Sequence, residues 1–463
     1  MKRPTTLTLP QKIAEQLRQH LFPGDGLEAA ALLLCAQAGG RRKKLLGREL
    51  IVVPHDRCVR SRDSITWPGE YVETAIDIAI SCGDAVMAVH SHPGGLFAFS
   101  SADDESDRTL MGALRHGTDQ LAGSAIMIPS GAMRARVYEN DHAATAIDLV
   151  MAAGPDIRTW WCDDATAAGP RPAPMAFTRG MRAWLGRMSI CVIGVSGTGS
   201  IVAEQLVRLG VGEIILIDFD RLEERNLNRI LNSSLAEVGS YKVEMFANAI
   251  RLYRPDCDVV ALPCSIATLE AILAASEADV IFSCVDTAEG RHIADRLSAY
   301  FAIPLFDVGV AIPTEAVPSG DRRIAEVYGR VDYVYPGGSS LMDRGVYDAA
   351  LLEAEYLARV APQALARKIA DGYLRGIPEE APGVIALNMR AASACVIEFL
   401  ARLFPFRQFP NEERARSIFM LAEGDEDVFA ENQFTASGRF PSAVGMSDPP
   451  LGLPALGERR RVA

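Results

Sequence analysis

Residues 190–220 read ICVIGVSGTGSIVAEQLVRLGVGEIILIDFD. A short apolar run, long enough for a buried strand, stops at a glycine-rich turn. It is followed by SIVAEQLVRLG, apolar at helical spacing, and by a second apolar run, EIILID. Gly194, Gly197 and Gly199 permit a tight turn and close backbone approach, and the helix that starts there offers N–H donors and a positive dipole end to a phosphate. Asp218 closes the second strand about twenty residues after the turn, where a carboxylate can accept from ribose hydroxyls. The residues of this unit alone fit a nucleotide of either the adenylate or the nicotinamide kind.

The same rhythm continues downstream. YKVEMFANAIRLYR (241–254) has helical period and DVIFSCVD (279–286) reads as another buried strand. Such alternation predicts an α/β, doubly wound, Rossmann-like domain with a largely parallel sheet. LARKIADGYL (365–374) and ALNMRAASACVIEFLARLF (386–404) read as helices packed around it. Residues 152–176, rich in Ala, Gly, Pro and Asp, are expected to be a linker, with Trp160 and Trp161 hinting that part of it docks. Upstream, EAAALLLCAQ, LIVV, VETAIDIAISCG, AVMAVHSH, AIMIPSG and MRARVYE mix strands and helices without regular alternation, which predicts an α+β domain. The Pro/Gly-rich end is expected to be a disordered tail. The organisation expected is therefore 1–151, a linker at 152–176, 177–435, and a tail at 436–463.

Composition narrows the function classes. Of 463 residues, 49% are hydrophobic and 23% charged, and the net charge is -12. A folded, acidic chain of this kind argues against a broad nucleic-acid surface, though not against one local basic pocket. The nine cysteines are odd in number and scattered without a C-x-x-C pair, so neither a disulfide framework nor a thiolate zinc knuckle is expected. No apolar run approaches the length of a membrane span and no secretory signal is read at the N-terminus, so a cytoplasmic protein is expected.

The first domain carries a metal pattern, AVHSHPGGLFAFSSADDESD (88–107). His90 and His92, two apart at the end of a strand, project from one face, and Pro93-Gly94-Gly95 turns the chain. Asp103 falls in the first turn of the next helix, just after Ser100, with Asp104 as its neighbour and rival. Two imidazoles and one carboxylate, with a coordination position left for water, form a typical catalytic zinc set. His20, His55, His116, His142 and His292 join no cluster.

This region resembles the JAB/MPN (Mov34-type) zinc metalloproteases, whose signature is a distant Glu, His-x-His-Pro and Ser-x-x-Asp. The resemblance implies that His90, His92 and Asp103 bind Zn2+, that Ser100 helps to stabilise the tetrahedral intermediate, and that Glu28 is the general base. The second half, from FDRLEERNLNRILNSSLAEVGSYKVEMFANAI (219–250) to VIFSCVDTAEGR (280–291), is similar to the ThiF/MoeB/E1 adenylating family. That family's Asp-x-Asp, Asn-Leu-x-Arg, helical Lys and later Asp correspond here to Asp218 and Asp220, Asn226 and Arg229, Lys242, and Asp286. The resemblance implies ATP with Mg2+: Asp218 on the ribose, Arg229 and Lys242 on phosphates, Asn226 supporting them, and Asp286 holding magnesium. Ser196 stands where the family commonly has glycine, which is tolerable if its φ is negative. Arg179 or Arg182 is similar to an arginine that reaches the ATP of a neighbouring subunit, or lies on a solvated face.

Together the resemblances imply a bifunctional enzyme of a bacterial ubiquitin-like modifier pathway. One half would be a zinc peptidase that processes the modifier, and the other would adenylate its C-terminus. Its partners would be the modifier, an E2-like conjugating enzyme and a second copy of the chain, with neither nucleic acid nor membrane. Activation of a sulfur-carrier protein, or a scaffold with one inactive domain, are the alternatives; an NAD-dependent oxidoreductase gives no role to Arg229, Lys242 and Asp286. Many relatives carry cysteines in the segment matching PGGSSLMDRG (336–345), where Ser340 and Asp343 stand here. Three readings stay open: the adenylate passes directly to a partner, Ser340 forms an oxyester, or the transfer step has decayed. In each, the chain has no thioester-forming cysteine of its own.

Overall fold

A computed structural model describes residues 3–139, 143–166, 169–317, 321–371, 374 and 383–458. It contains two compact units: Met1–Ala173 with Ala299–Ala302 and Pro441–Ser447, and Pro174–Ser298 with Ile303–Phe440 and Asp448–Ala463.

The first unit is a nine-stranded mixed sheet flanked by three helices. Its elements are β1 (Thr6–Pro10), α1 (Gln11–Leu21), β2 (Ala30–Gln37), β3 (Lys44–Val52), α2 (Glu70–Cys82), β4 (Ala85–Ser91), α3 (Ser101–Thr118), β5 (Ala122–Met127), β6 (Met133–Tyr138), β7 (Ala144–Ala146), β8 (Leu149–Ala153) and β9 (Ile157–Trp161). Across the sheet the strands run β9-β8-β1-β3-β2-β4-β5-β6-β7. The unbroken apolar run of β2 follows from burial on both faces. Ala31, Leu33 and Cys35 pack in the cluster that includes Leu17 and Leu21 of α1, while Leu32 and Leu34 pack with Ala75 and Ala79 of α2 and Met111 and Leu114 of α3. Each such leucine contributes about 1.5–3 kcal/mol on burial. Strand β4 repeats the division, with Met87 and Val89 on one face and Val86 and Ala88 on the other.

The second unit holds α4 (Arg179–Leu185), β10 (Ser189–Ile193), α5 (Gly197–Leu209), β11 (Glu213–Ile217), α6 (Lys242–Tyr253), β12 (Asp258–Leu262), α7 (Leu269–Ser276), β13 (Val280–Ser283), α8 (Ala288–Tyr300), β14 (Leu305–Ala311), β15 (Tyr328–Val334), α9 (Ala349–Val360), α10 (Pro362–Ala370), α11 (Ile385–Leu403), β16 (Arg416–Met420), β17 (Asp425–Phe429) and α12 (Pro454–Glu458). Its sheet runs β12-β11-β10-β13-β14-β15-β16-β17. The first five strands are parallel and the last three antiparallel. The chain winds outward from β10 to β12 and then returns to β10's other side as β13. The glycine-rich turn leaves β10 at that reversal, which is where open α/β sheets bind ligands.

Two sequence expectations need correction. The stretch expected to link the domains is partly sheet: Leu149–Ala153 and Ile157–Trp161 pair as an antiparallel hairpin on the first unit. Gly154-Pro155-Asp156 is its turn, and the alanines that suggested a linker are small residues buried in β8. The tail expected to be disordered is structured through Glu458. Ala443 and Leu451 are buried there, and Arg296 Nη1 donates to Leu451 O at 2.6 Å. Its prolines and glycines make turns rather than an extended coil. Residues 459–463 lie outside the described residues.

Candidate metal and nucleotide sites

In the first unit, β4 pairs with β2 so that Ala30 faces His90, and the parallel partner β5 continues past β4 through His92 N donating to Met127 O at 2.8 Å. His90 and His92 therefore leave the same face on backbone held from both sides. The turn closes with Gly95 N on His92 O, and Ser100 caps α3. Its Oγ accepts from Asp103 N at 3.2 Å while Asp103 Oδ2 accepts from Ser100 N at 2.6 Å, a reciprocal cap that fixes the carboxylate.

The result is a triad. His90 Nε2 and His92 Nε2 are 3.0 Å apart, and they lie 3.1 and 3.5 Å from Asp103 Oδ1 and Oδ2 respectively. These spacings suit one face of a tetrahedron with metal–ligand bonds near 2.0–2.1 Å, whose edge is about 3.3 Å. The donor chemistry fits a cation as well. His92 Nδ1 lies 2.8 Å from Leu96 O, so Nδ1 carries the hydrogen and Nε2 presents its lone pair to the centre. Burial acts to raise the Asp103 pKa, but the hydrogen bonds with His90 and His92 outweigh it and hold the carboxyl well below its ordinary value. His92 shows the counterpart: burial lowers its pKa, but hydrogen bonds with Asp103 and the Leu96 carbonyl outweigh that and leave it raised. This is the one group of three metal-ligating side chains among the described residues.

Glu28 precedes β2 and is 5% exposed. Its N–H donates to Ser61 O at 2.8 Å and its carbonyl accepts from Arg60 Nε at 2.6 Å, while Ser91 Oγ takes the next amide, Ala29 N, at 2.9 Å. Burial raises the Glu28 pKa and the nearby His90 and His92 oppose that rise. Asp104, the rival carboxylate, turns away and accepts from Arg136 Nη1 at 2.6 Å.

In the second unit the turn after β10 is built for close approach. Gly194 has φ +85°, and a Cβ at Gly199 would sit 1.8 Å from Gly194 O, so α5 can start against the strand only because Gly199 lacks one. Ser196 has φ -97°, an ordinary value that explains why serine serves there. Asp218 ties the turn to β11: its Oδ2 accepts from Val195 N at 2.7 Å and its Oδ1 from Asp220 N at 2.8 Å. Burial raises the Asp218 pKa, opposed by Lys242 and these N–H groups. Lys242 Nζ donates to Asp220 Oδ2 at 2.7 Å, and Asn226 is buried with its Oδ1 accepting from Glu223 N at 3.1 Å.

The stem of Arg229 lies against Gly197, whose Cβ would come 3.3 Å from Arg229 Cδ, and Arg229 Nη1 donates to Arg225 O at 3.0 Å. Asp286 is exposed beyond β13, two residues after Cys284, whose carbonyl would be 2.9 Å from a Cβ on Gly194. Thus Asp218, Asp220, Lys242 and the turn are joined, Arg229 borders the turn, and Asp286 follows two residues after Cys284, whose backbone packs against it. Arg179 and Arg182 are exposed on α4, with the Arg182 stem over Gly210.

Residues 10–163 match the prokaryotic homologs of the JAB domain, and residues 174–389 match the ThiF family. The chain is a JAB–ThiF fusion. Among curated relatives, "Ubiquitin-like modifier-activating enzyme 5" of Aedes aegypti is 30% identical over 135 residues, 27% of this chain and 34% of that protein. "tRNA threonylcarbamoyladenosine dehydratase" of Bacillus subtilis is 43% identical over 74 residues, 16% of this chain and 29% of that protein. The chain therefore spans about a third of the length of these relatives. Among solved structures, E. coli MccB with ATP aligns with a TM-score of 0.40 at 16% identity, covering 54% of this chain and 66% of that one. No helix among the described residues is long and apolar enough to cross a membrane.

Two features of the ThiF part were not read from the sequence. Asn388 of α11 is buried with its Nδ2 2.4 Å from where a Gly197 Cβ would be, so a helix nearly two hundred residues away lines the glycine-rich turn. In sequence it is one polar residue among several in that helix, with Arg390, Ser393, Glu398 and Arg402, so nothing local singled it out. The second feature is the setting of Ser340. Ser340 is 7% exposed; its Oγ accepts from Asp343 N at 3.1 Å and its N–H donates to Asp343 Oδ2 at 3.0 Å. The arrangement is a turn cap, and Asp295 fastens the same turn by accepting from Leu341 N at 2.9 Å and Met342 N at 3.2 Å.

Proposed function

We propose that this JAB–ThiF fusion activates and processes one ubiquitin-like or sulfur-carrier protein. The ThiF unit would adenylate the partner's C-terminal carboxylate with Mg·ATP, and the JAB unit would cleave peptide or isopeptide bonds at that same terminus. The observation that carries the reading is the coexistence, in one chain, of the His90–His92–Asp103 triad and the glycine-rich turn bordered by Asp218, Arg229 and Lys242.

In the JAB unit, His90, His92 and Asp103 would hold the zinc, which when bound supplies Lewis acidity, polarising a carbonyl and lowering the pKa of water to about 7. Glu28, buried and with a raised pKa, accepts the proton of the attacking water and returns it to the leaving amine. In the ThiF unit the partner's carboxylate attacks the α-phosphorus and pyrophosphate leaves. Arg229 and Lys242 neutralise the charge that develops on phosphate oxygens, the α5 amides add donors, and Asp286 would hold the magnesium. Lys242 must exchange Asp220 for phosphate to do so. An E2-like enzyme as acceptor, and a homodimer in which Arg179 or Arg182 reaches across, complete the proposal.

The test is ATP–pyrophosphate exchange by the full chain, with and without a ubiquitin-like protein ending in a free glycine. Exchange that requires the partner protein and is lost in Asp286→Ala is expected; nicotinamide binding without exchange would overturn the assignment. For the JAB unit, zinc-loaded chain should trim a C-terminally extended partner. Glu28→Gln should lose about 10²–10⁴-fold in rate while keeping its metal.

A further inference from the structure

The triad depends on which of two adjacent carboxylates faces the histidines, and the structure shows what makes the choice. Consecutive residues on a helix point about 100° apart, so a rotation of the first turn of α3 by about that angle would exchange Asp103 for Asp104. Asp104 and Asp107, three apart, share a face, and that face is fastened to the sheet. Arg136 of β6 donates through Nη1 to Asp104 Oδ1 at 2.6 Å, and through Nε and Nη2 to Asp107 Oδ2 at 2.9 and 2.6 Å.

Ser124 Oγ and Tyr138 OH donate to the same Asp107 oxygen at 2.5 and 2.8 Å. The guanidinium also lies 3.8 Å over the ring of Phe99, the residue before the Ser100 cap. Arg136, Asp107, Ser124 and Tyr138 are all at least nine-tenths buried. A rigid, planar fork therefore grips the start of α3 at three points that flank Asp103, something an ammonium on a flexible stem cannot do.

We propose that Arg136 is a positioning residue for the metal centre: by holding Asp104 and Asp107 against β6 it leaves Asp103 as the carboxylate presented to His90 and His92. The proposal rests on the reading of the triad as a metal site, and it adds a determinant outside the JAB motif. Arg136 bonds to Asp104 and Asp107, not to the proposed ligands. Its effect passes through the orientation of the helix, as outer-shell partners of metal ligands commonly act.

The experiment uses the full-length chain, zinc affinity by chelator competition, and the visible absorption of the cobalt(II)-substituted protein. Arg136→Met combined with Asp107→Asn removes the buried charge pair together, so neither partner is stranded; Arg136→Lys keeps the charge and loses the fork. Both should bind zinc 10–100-fold more weakly than wild type and shift the cobalt spectrum. Asp104→Asn, which leaves the grip on Asp107, should stay within a few-fold of wild type. Wild-type affinity and an unchanged cobalt spectrum in both Arg136 variants would overturn the proposal. So would an affinity loss that merely tracks a collapsed thermal melt in both. Failure of the metal reading itself is separable: wild type and Asp103→Asn would then take up neither zinc nor cobalt.

Discussion

The two candidate sites of this chain would solve the same problem, presenting charge to a ligand, in opposite ways. In the JAB unit the ring nitrogens of His90 and His92 and the carboxylate of Asp103, the proposed metal ligands, already lie within 3.5 Å of one another, because these side chains are fixed by two strands and a helix cap. In the ThiF unit the backbone is prepared and the side chains are not. The turn at Gly194–Gly199 is complete, while Lys242 rests on Asp220 at 2.7 Å and Arg229 on the Arg225 carbonyl at 3.0 Å. A metal is bound by exact placement of a few donors, so its site must pre-exist. A nucleotide brings its own charge and can draw long cationic side chains away from their internal partners. The first site should therefore respond to changes in its supporting shell, and the second to changes in its backbone.

The largest effect expected is on that backbone. Gly199→Val places a branched side chain on a Cβ only 1.8 Å from Gly194 O, which forces α5 away from β10. ATP affinity, measured by calorimetry, should fall by ~100-fold or more, equivalent to about 3 kcal/mol, and the melting temperature of the ThiF unit should drop with it. Lys242→Ala should weaken ATP far less. Comparable losses in the two variants would erase the contrast between prepared backbone and unprepared side chains.

The matching test in the JAB unit is His92→Gln, which removes one donor from a preformed set. Zinc affinity should fall by at least ~100-fold, again about 3 kcal/mol, while the fold survives, because the strand pairing through His92 N does not need the ring. Zinc retained at wild-type affinity would show that the triad is an internal ion pair and nothing more.

How much of this was legible follows from the same contrast. The His-x-His pair, the Ser100–Asp103 cap and the glycine-rich turn are local in sequence, so spacing alone places them on one face or one turn. The strand β17 was missed because DEDVF carries little apolar signal; it is a largely exposed edge whose pairing, not its burial, makes it a strand. The hairpin of β8 and β9 was missed because Ala and Gly-Pro-Asp read as linker when nothing shows what they pack against. Arg136 and Asn388 were invisible for a third reason: each acts on a residue far along the chain, and no local pattern marks a contact set by tertiary packing.

A smaller effect separates buried charge in the ThiF unit from charge at its site. Asp295, fully enclosed, has its pKa pushed up to about 7 by burial, although Leu341 N, Met342 N and Tyr347 OH favour its ionised form. His292, whose Nδ1 lies 3.1 Å from Tyr347 OH, is pushed down to about 4, by burial first and then by Arg296. The folded state thus holds a proton on Asp295 that the unfolded chain releases near its ordinary value of 3.8, so that stability is lost as pH rises from about 4 to about 7. For His292 the sign reverses: its contribution is present above about 6.5 and is lost as pH falls toward about 4. In wild type the two slopes oppose each other. Asp295→Asn should leave stability rising with pH across this window, and His292→Gln should leave it falling. The Asp295 slope amounts to a few kcal/mol at most, and the His292 slope is smaller because that ring is partly solvated. Melting temperatures at pH 5 and pH 8 decide it; parallel profiles for the two variants would refute the pairing.

The smallest effect concerns Ser340, where the structure and the oxyester reading part company. A hydroxyl that accepts from Asp343 N at 3.1 Å, on a residue 7% exposed, is a cap rather than a nucleophile awaiting an acyl group. A serine nucleophile also needs a base to take its proton, and the carboxylate beside it, Asp343, is held below its ordinary pKa by hydrogen bonds from Ser437 and Ser340 that outweigh its burial. A carboxylate stabilised in its ionised form is a poor proton acceptor. Ser340→Ala should therefore cost about 1 kcal/mol of stability, the worth of one hydrogen bond, and leave ATP–pyrophosphate exchange unchanged. Incubation with ATP and the partner protein should give no adduct on this chain that reductant removes. An adduct that resists reductant, is cleaved by hydroxide and disappears in Ser340→Ala would mean that this turn opens to receive the acyl group. The second unit would then rearrange its side chains not only for the nucleotide but for the transfer step as well.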